Sequence, residues 1–111
     1  RWDVQTIRGP NPHWGHWRRA QGLEPEGEAL LARATEALAT KLDAYGTGPE
    51  TFGLIHADLR LANLMVDGDT LTAIDFDDCG FGWWAYDLAS ALSFIETDPR
   101  LPDLIARWVA G

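Results

Sequence analysis

His56-Ala57-Asp58-Leu59-Arg60-Leu61-Ala62-Asn63 decides how this chain is read, together with Ile74-Asp75-Phe76-Asp77-Asp78 a little further on. Between them, Leu64-Met65-Val66 and Leu71-Thr72-Ala73-Ile74 read as two strands, and Asp67-Gly68-Asp69-Thr70 is a tight-turn signal. The spacing therefore predicts a hairpin. A hairpin sets Asn63, at the start of its first strand, beside Asp75, at the end of its second. Asp58 lies on the loop leading in, so three oxygen-bearing side chains converge at one end. A carboxylate and an amide suit Mg²⁺, which takes few protein ligands and completes its shell with water and phosphate oxygens. A further carboxylate that does not hold metal is free to accept a proton from an attacking hydroxyl.

Working outward, Phe52 to Ile55 reads as a short buried strand running into His56. A His that ends a buried strand packs and hydrogen-bonds the loop it introduces. Cys79 to Gly82 reads as a glycine-bearing loop, and Trp83 to Thr97 as a helix broken by Asp98-Pro99. Leu101 to Ala110 reads as another, with Pro102 near its start. Upstream, a long helix is expected from Pro25 to Tyr45. Glu26 and Glu28 suit its N-terminal end and Gly46 its stop. Leu30, Leu31, Ala34, Leu38 and Leu42 recur at helical spacing, which predicts a core-facing stripe. Gly9-Pro10-Asn11-Pro12 reads as a turn and His13 to Arg19 as a short helix. His13 and His16 are expected at the surface or in packing.

The chain has 111 residues, of which 46% are hydrophobic and six are Trp, enough for a packed core. Its net charge of −8 argues against a nucleic acid or an anionic membrane as partner, because those recruit clustered Lys and Arg. Residues 56–90 hold seven acids and one Arg, which is −6 of the −8. Crowded carboxylates call for cations or hydrogen bonds, and divalent metal is the candidate. Asp67 and Asp69 read as solvated turn residues. The single cysteine, Cys79, excludes an internal disulfide and reads as a small buried thiol in a reducing compartment. No charged-then-apolar leader is visible, and Trp83 to Ile95 is too short for a membrane span, so a cytoplasmic location is expected.

The run from His56 to Asn63 resembles the kinase catalytic loop, H-x-D-x-x-x-x-N, and Ile74 to Asp78 stands where the metal-binding Asp-Phe-Gly would be. The small residue after His56, Ile-Asp-Phe-Asp-Asp, and the later Trp84-Ala85-Tyr86-Asp87-Leu88-Ala89 resemble the aminoglycoside phosphotransferase and choline kinase superfamily more than protein kinases. The likeness covers about residues 52–95. It implies an α+β fold, a mostly helical C-terminal lobe of a protein-kinase-like fold whose small hairpin carries the catalytic and metal-binding loops.

The resemblance also implies roles. Asp58 would be the catalytic base, and Asn63 and Asp75 the Mg²⁺ ligands that meet the phosphates of ATP. Arg60 would hold the γ-phosphoryl group or simply balance its acidic neighbours. Met65 and Ile74 would floor the adenine pocket, ordinary hairpin core being the plainer reading. His56 and Asp87 would brace the loop. Asp87, a carboxylate near a helix start in an apolar segment, needs donors, and backbone N–H groups of that loop can supply them. Asp77 replaces the protein-kinase Gly. Asp77 and Asp78 would meet metal, a cationic substrate, or only their own loop. Trp83 and Trp84 would line a substrate pocket or pack.

Expected partners are ATP and a hydroxyl acceptor such as an aminoglycoside, choline or homoserine. A protein Ser/Thr acceptor, a non-catalytic module of the same fold, and a metallohydrolase using His56 and Asp58 are the alternatives. No phosphate-covering loop, strand Lys or partner Glu is visible, and the sole Lys is Lys41 in the long helix. Residues 1–111 are therefore expected to form one C-terminal lobe without its ATP-binding N-terminal lobe. Such a lobe would be inactive alone and prone to self-association through its exposed interface.

Overall fold

The computed structural model describes residues 2–111. Its organising element is a pair of antiparallel strands, β1 (Phe52–Ile55) and, late in the chain, β4 (Gly80–Trp83), in register Phe52↔Trp83 to Ile55↔Gly80. The expected hairpin forms a separate sheet, β2 (Leu64–Asp67) and β3 (Thr70–Ala73), in register Leu64↔Ala73 to Asp67↔Thr70. That register leaves Gly68-Asp69 as a two-residue turn. Gly68 has φ +57, which a glycine adopts without steric cost.

β4 corrects the expected loop. Gly-Phe-Gly reads as loop because glycine lacks a side chain to pack, but here that lack lets neighbours in. A Cβ on Gly80 would collide with the backbone of Trp2, and one on Gly82 with the side chain of Ile55. The Phe81 N–H donates to Trp2 O at 2.8 Å, so the N-terminal segment lies along this strand. Trp2, Ile55 and Ala57 are buried together, with Ile7 and Tyr86 packed against them. An Asp3–Thr6 capping box starts helix α1 (Val4–Arg8), which rests on β4.

Helix α2 (Pro25–Tyr45) begins at Pro25 and stops at Gly46, φ +79, as the sequence predicts. Its apolar stripe is not core: no residue of α2 is buried, and Leu38 is 56% exposed. The helix is moored by polar contacts, Trp83 Nε1 donating to Gly46 O at 2.8 Å and Arg8 pairing with Asp43. The radius of gyration is 15.9 Å, against about 13 Å for a compact chain of this length. The long helix stands off from the rest.

Two more helices differ in how well they match expectation. α3 (Trp84–Ala91) is shorter than the predicted Trp83–Thr97, because Trp83 closes β4 and Phe94 turns left-handed at φ +73. α4 (Leu101–Ala110) has the expected bounds. The helix expected from His13 to Arg19 shrinks to one 3₁₀ turn, Trp17–Arg19, capped by His16 Nδ1 accepting from Arg18 N at 3.1 Å. Cys79 is half-buried rather than buried. Among the described residues, no helix is long and apolar enough to cross a membrane.

Candidate active site

The loop between β1 and β2 is held by one carboxylate from a distant helix. Asp87 of α3 accepts the N–H of His56 through Oδ2 and that of Ala57 through Oδ1, both at 2.8 Å. Two successive buried donors are thereby satisfied at a position where no strand partner remains. Ala57 sits at φ +66, a left-handed conformation that costs a non-glycine residue about 1–2 kcal/mol. The bonds to Asp87 offset that cost.

His56 ties this loop to the far end of the hairpin. Its Nε2 lies 2.9 Å from Ile74 O, an acceptor, so Nε2 carries the ring proton. Nδ1 is then the acceptor for Asp58 N at 3.3 Å. The ring also meets Phe76, centroid to centroid 4.5 Å. Ile74 N donates to Asn63 O at 3.0 Å, so the hairpin ends side by side, with Asp75 next in line at φ +67.

Asp58 is oriented from two sides. Arg60 donates Nε to Oδ1 and a terminal nitrogen to Oδ2, both at 2.7 Å, a bidentate pair. Asn63, itself buried, donates Nδ2 to Asp58 Oδ2 and to Asp58 O, both at 2.9 Å. The Arg60 hydrogen bonds hold the Asp58 carboxyl below its ordinary pKa, against a smaller upward push from burial. The charge of Arg60, the Asn63 amide and His56 add to the lowering. Arg60 is raised in turn, first by its hydrogen bonds to Asp58 and then by that charge, with Asp75 and Asp78 contributing at longer range.

The donor chemistry fits a divalent cation. Committing Asn63 Nδ2 to Asp58 fixes the amide's orientation and leaves Oδ1 as the atom to offer a metal. Asp75 is exposed and makes no hydrogen bond among the described residues. One amide oxygen and one carboxylate suit Mg²⁺ that keeps waters and phosphate oxygens. The seven acids of residues 56–90 do not pool: among the described residues no three His, Cys, Asp or Glu side chains group around a metal position. The two upstream histidines are engaged elsewhere: His16 caps a turn and His13 meets Trp2 edge-on at 5.0 Å.

Asp58 opens onto a cleft of about 570 Å³, whose wall includes Arg60, Asp78, Trp14 and Tyr86. The expected pocket aromatics are elsewhere. Trp83 is buried against Phe52, and the Trp84 ring covers Gly53. Trp14 was not legible as a site residue because nothing local ties residue 14 to residue 58. Trp2 makes the link, stacking near both Trp14 (6.0 Å) and Tyr86 (5.7 Å). Met65 and Ile74 are not hairpin core: they are 58% and 39% exposed. Asp77 is exposed, and its carboxylate has no hydrogen-bond partner among the described residues.

A model of the phosphotransferase enzyme family (APH) matches residues 7–111. The chain belongs to that family. Amicoumacin kinase of Bacillus subtilis (strain 168) is 31% identical over 78 residues, 70% of this chain and 23% of that protein. The solved structure of a microcompartment-associated aminopropanol kinase is similar with a TM-score of 0.82 and 54% identity, over 98% of this chain and 35% of that one. A mitochondrial pentatricopeptide repeat-containing protein of Arabidopsis thaliana is 36% identical over 56 residues, but that is 5% of its length and bears on no function. The chain thus spans 23% and 35% of the two kinases it matches. Its α+β architecture is that of a kinase-like phosphotransferase, as the motifs imply.

Proposed function

We propose that the protein carrying this chain transfers the γ-phosphate of ATP to a hydroxyl of a small molecule, and that residues 1–111 are the lobe that positions the acceptor and the phosphates. The observation that supports this best is Asp58, clamped by Arg60 and Asn63 at the edge of a cleft. In this reading Asp58 accepts the acceptor's hydroxyl proton. The acceptor oxygen bonds to the γ-phosphorus as the bond from phosphorus to the bridging oxygen breaks, and ADP leaves with that electron pair. Arg60, adjacent to the reacting atoms, steadies the phosphoryl oxygens. Mg²⁺ held by Asn63 Oδ1 and Asp75 would supply neutralising charge for the phosphates. Met65 and Ile74 offer exposed apolar surface for the nucleotide base.

The relatives' names support a small acceptor, since both are kinases of small molecules, amicoumacin and aminopropanol. Covering 23% and 35% of them, this chain is read as one lobe, with the nucleotide-covering lobe supplied by other sequence. The single cysteine, Cys79, fits a reducing compartment and supports reading the activity as cytoplasmic. The test uses the full-length protein with Mg²⁺-ATP and a panel of small alcohols, following ADP release and acceptor phosphorylation. Asp58→Asn is expected to lower kcat by about 10²–10⁴, and Asp75→Asn to abolish metal-dependent turnover, each variant still unfolding in one cooperative transition. Transfer that survives both changes overturns the assignment.

A further inference from the structure

Among the described residues, the two most exposed large apolar side chains are Phe94, at 83%, and Trp14, at 80%. They are far apart in sequence, yet both line the cleft that Asp58 opens onto. Bare aromatic surface is unfavourable in water, and two such rings in one cleft mark a place that something apolar covers. Phe94 carries a second anomaly. Among the described residues, the non-glycine positions with a left-handed φ are Ala57, Asp75 and Phe94. Ala57 is held by the bonds from Asp87, and a short polar side chain such as that of Asp75 tolerates the conformation. Phe94, at φ +73, has neither support. It is the third residue of the turn that ends α3, closed by Ile95 N donating to Leu92 O at 3.2 Å. Glycine or asparagine is the usual occupant of such a position, because a bulky side chain is strained there. The turn therefore explains the backbone but not the ring. Burial does not offset the strain, for the ring lies in the open. A local rule broken with no gain to the fold points to a functional site.

We infer that Phe94 is a specificity-determining residue, whose ring packs with Trp14 against the hydrocarbon part of the acceptor while the acceptor's hydroxyl meets Asp58. This rests on the phosphotransfer reading above and assigns a residue of that site to the acceptor's carbon skeleton. The cleft divides accordingly. Its polar end is the Asp58–Arg60 pair, which suits the hydroxyl and the phosphoryl group. Its apolar surface is left for what the hydroxyl is attached to. About 570 Å³ is within the range of ordinary ligand cavities. The strain at Phe94 is then kept because the ring serves the substrate and not the fold.

The experiment uses the full-length protein, saturating Mg²⁺-ATP, and alcohols in pairs that differ by one methyl group on the carbon bearing the hydroxyl. The leading pair is 1-amino-2-propanol, the alcohol in one relative's name, and 2-aminoethanol. The wild type is expected to favour the methyl-bearing member in kcat/KM by about 10-fold, the low end of what one such group is worth in an apolar pocket. Phe94→Asn should bring that ratio close to parity, through the acceptor KM and not the KM for ATP. Its thermal midpoint should rise by about 2 °C, because asparagine relieves the left-handed strain. Phe94→Leu, which keeps apolar surface, should retain most of the preference. If Phe94→Asn leaves the ratio unchanged, the inference is overturned while the kinase reading stands. The same holds if the midpoint falls by several degrees, since the ring then packs within the protein itself. If the wild type phosphorylates no alcohol of any pair, both are overturned.

Discussion

The loop from Ile55 to Asn63 and the helix from Pro25 to Tyr45 make an instructive pair. The loop is irregular, yet His56, Ala57 and Asn63 are buried in it and nearly every polar atom is spoken for. The helix is regular over 21 residues, yet buries none of them. Regularity is a local property, settled by propensity, Pro25 at the start and Gly46 at the end. Burial is a property of what lies opposite. The loop is expensive to form, with a left-handed Ala57, and is held because Asp87 reaches it from α3. The helix needs no such support and receives little.

That contrast can be broken at several points. The largest effect is expected from Asp87→Ala, which strands two backbone donors. Each is worth about 1–3 kcal/mol when unpaired, so unfolding free energy should fall by about 3 kcal/mol in urea titration. A loss below about 1 kcal/mol would mean that the loop is held by something other than α3. Gly80→Ala comes next. Its Cβ meets the Trp2 backbone, which has no flexible end to yield, and about 2 kcal/mol of destabilisation is expected from such overpacking.

A smaller, pH-dependent effect attaches to Asp58. Its folded pKa is depressed below the ordinary 3.8, chiefly by Arg60. A depressed carboxylate stabilises the fold at pH values above its unfolded pKa and loses that contribution as pH falls through the folded value. Stability curves of the wild type and Asp58→Asn should therefore run parallel from pH 5 to 8 and converge below about pH 4. Convergence near neutral pH would contradict the clamp. Smallest of all, Leu38→Ala in α2 should change stability by no more than about 0.5 kcal/mol in this chain. A cost of about 2 kcal/mol or more would show that the stripe is covered, and would erase the difference between the two regions.

Much of the candidate site was legible because its signals are close in sequence. Asp58 to Asn63 is one loop, and Asn63 to Asp75 is one hairpin with a turn glycine in its middle. The need of Asp87 for donors was legible from its apolar neighbours. The wall of the cleft was not. Trp14 comes to Asp58 only through Trp2, which lies on β4, and β4 was hidden because a glycine carries no mark of whether it serves a loop or a close approach. Trp83 and Trp84, adjacent to the motif and aromatic, drew attention for the same reason that Trp14 escaped it.

By itself, the sequence determined the hairpin, the bounds of α2 and α4, and the order of Asp58, Asn63 and Asp75, because alternation, capping and turn chemistry act over two to four residues. Only the tertiary structure decided that Phe52–Ile55 pairs with Gly80–Trp83, that Trp14 joins Asp58 at one cleft, and that the α2 stripe stays open. Those outcomes depend on which distant surface arrives, and a repeat of apolar residues specifies a face without specifying its cover.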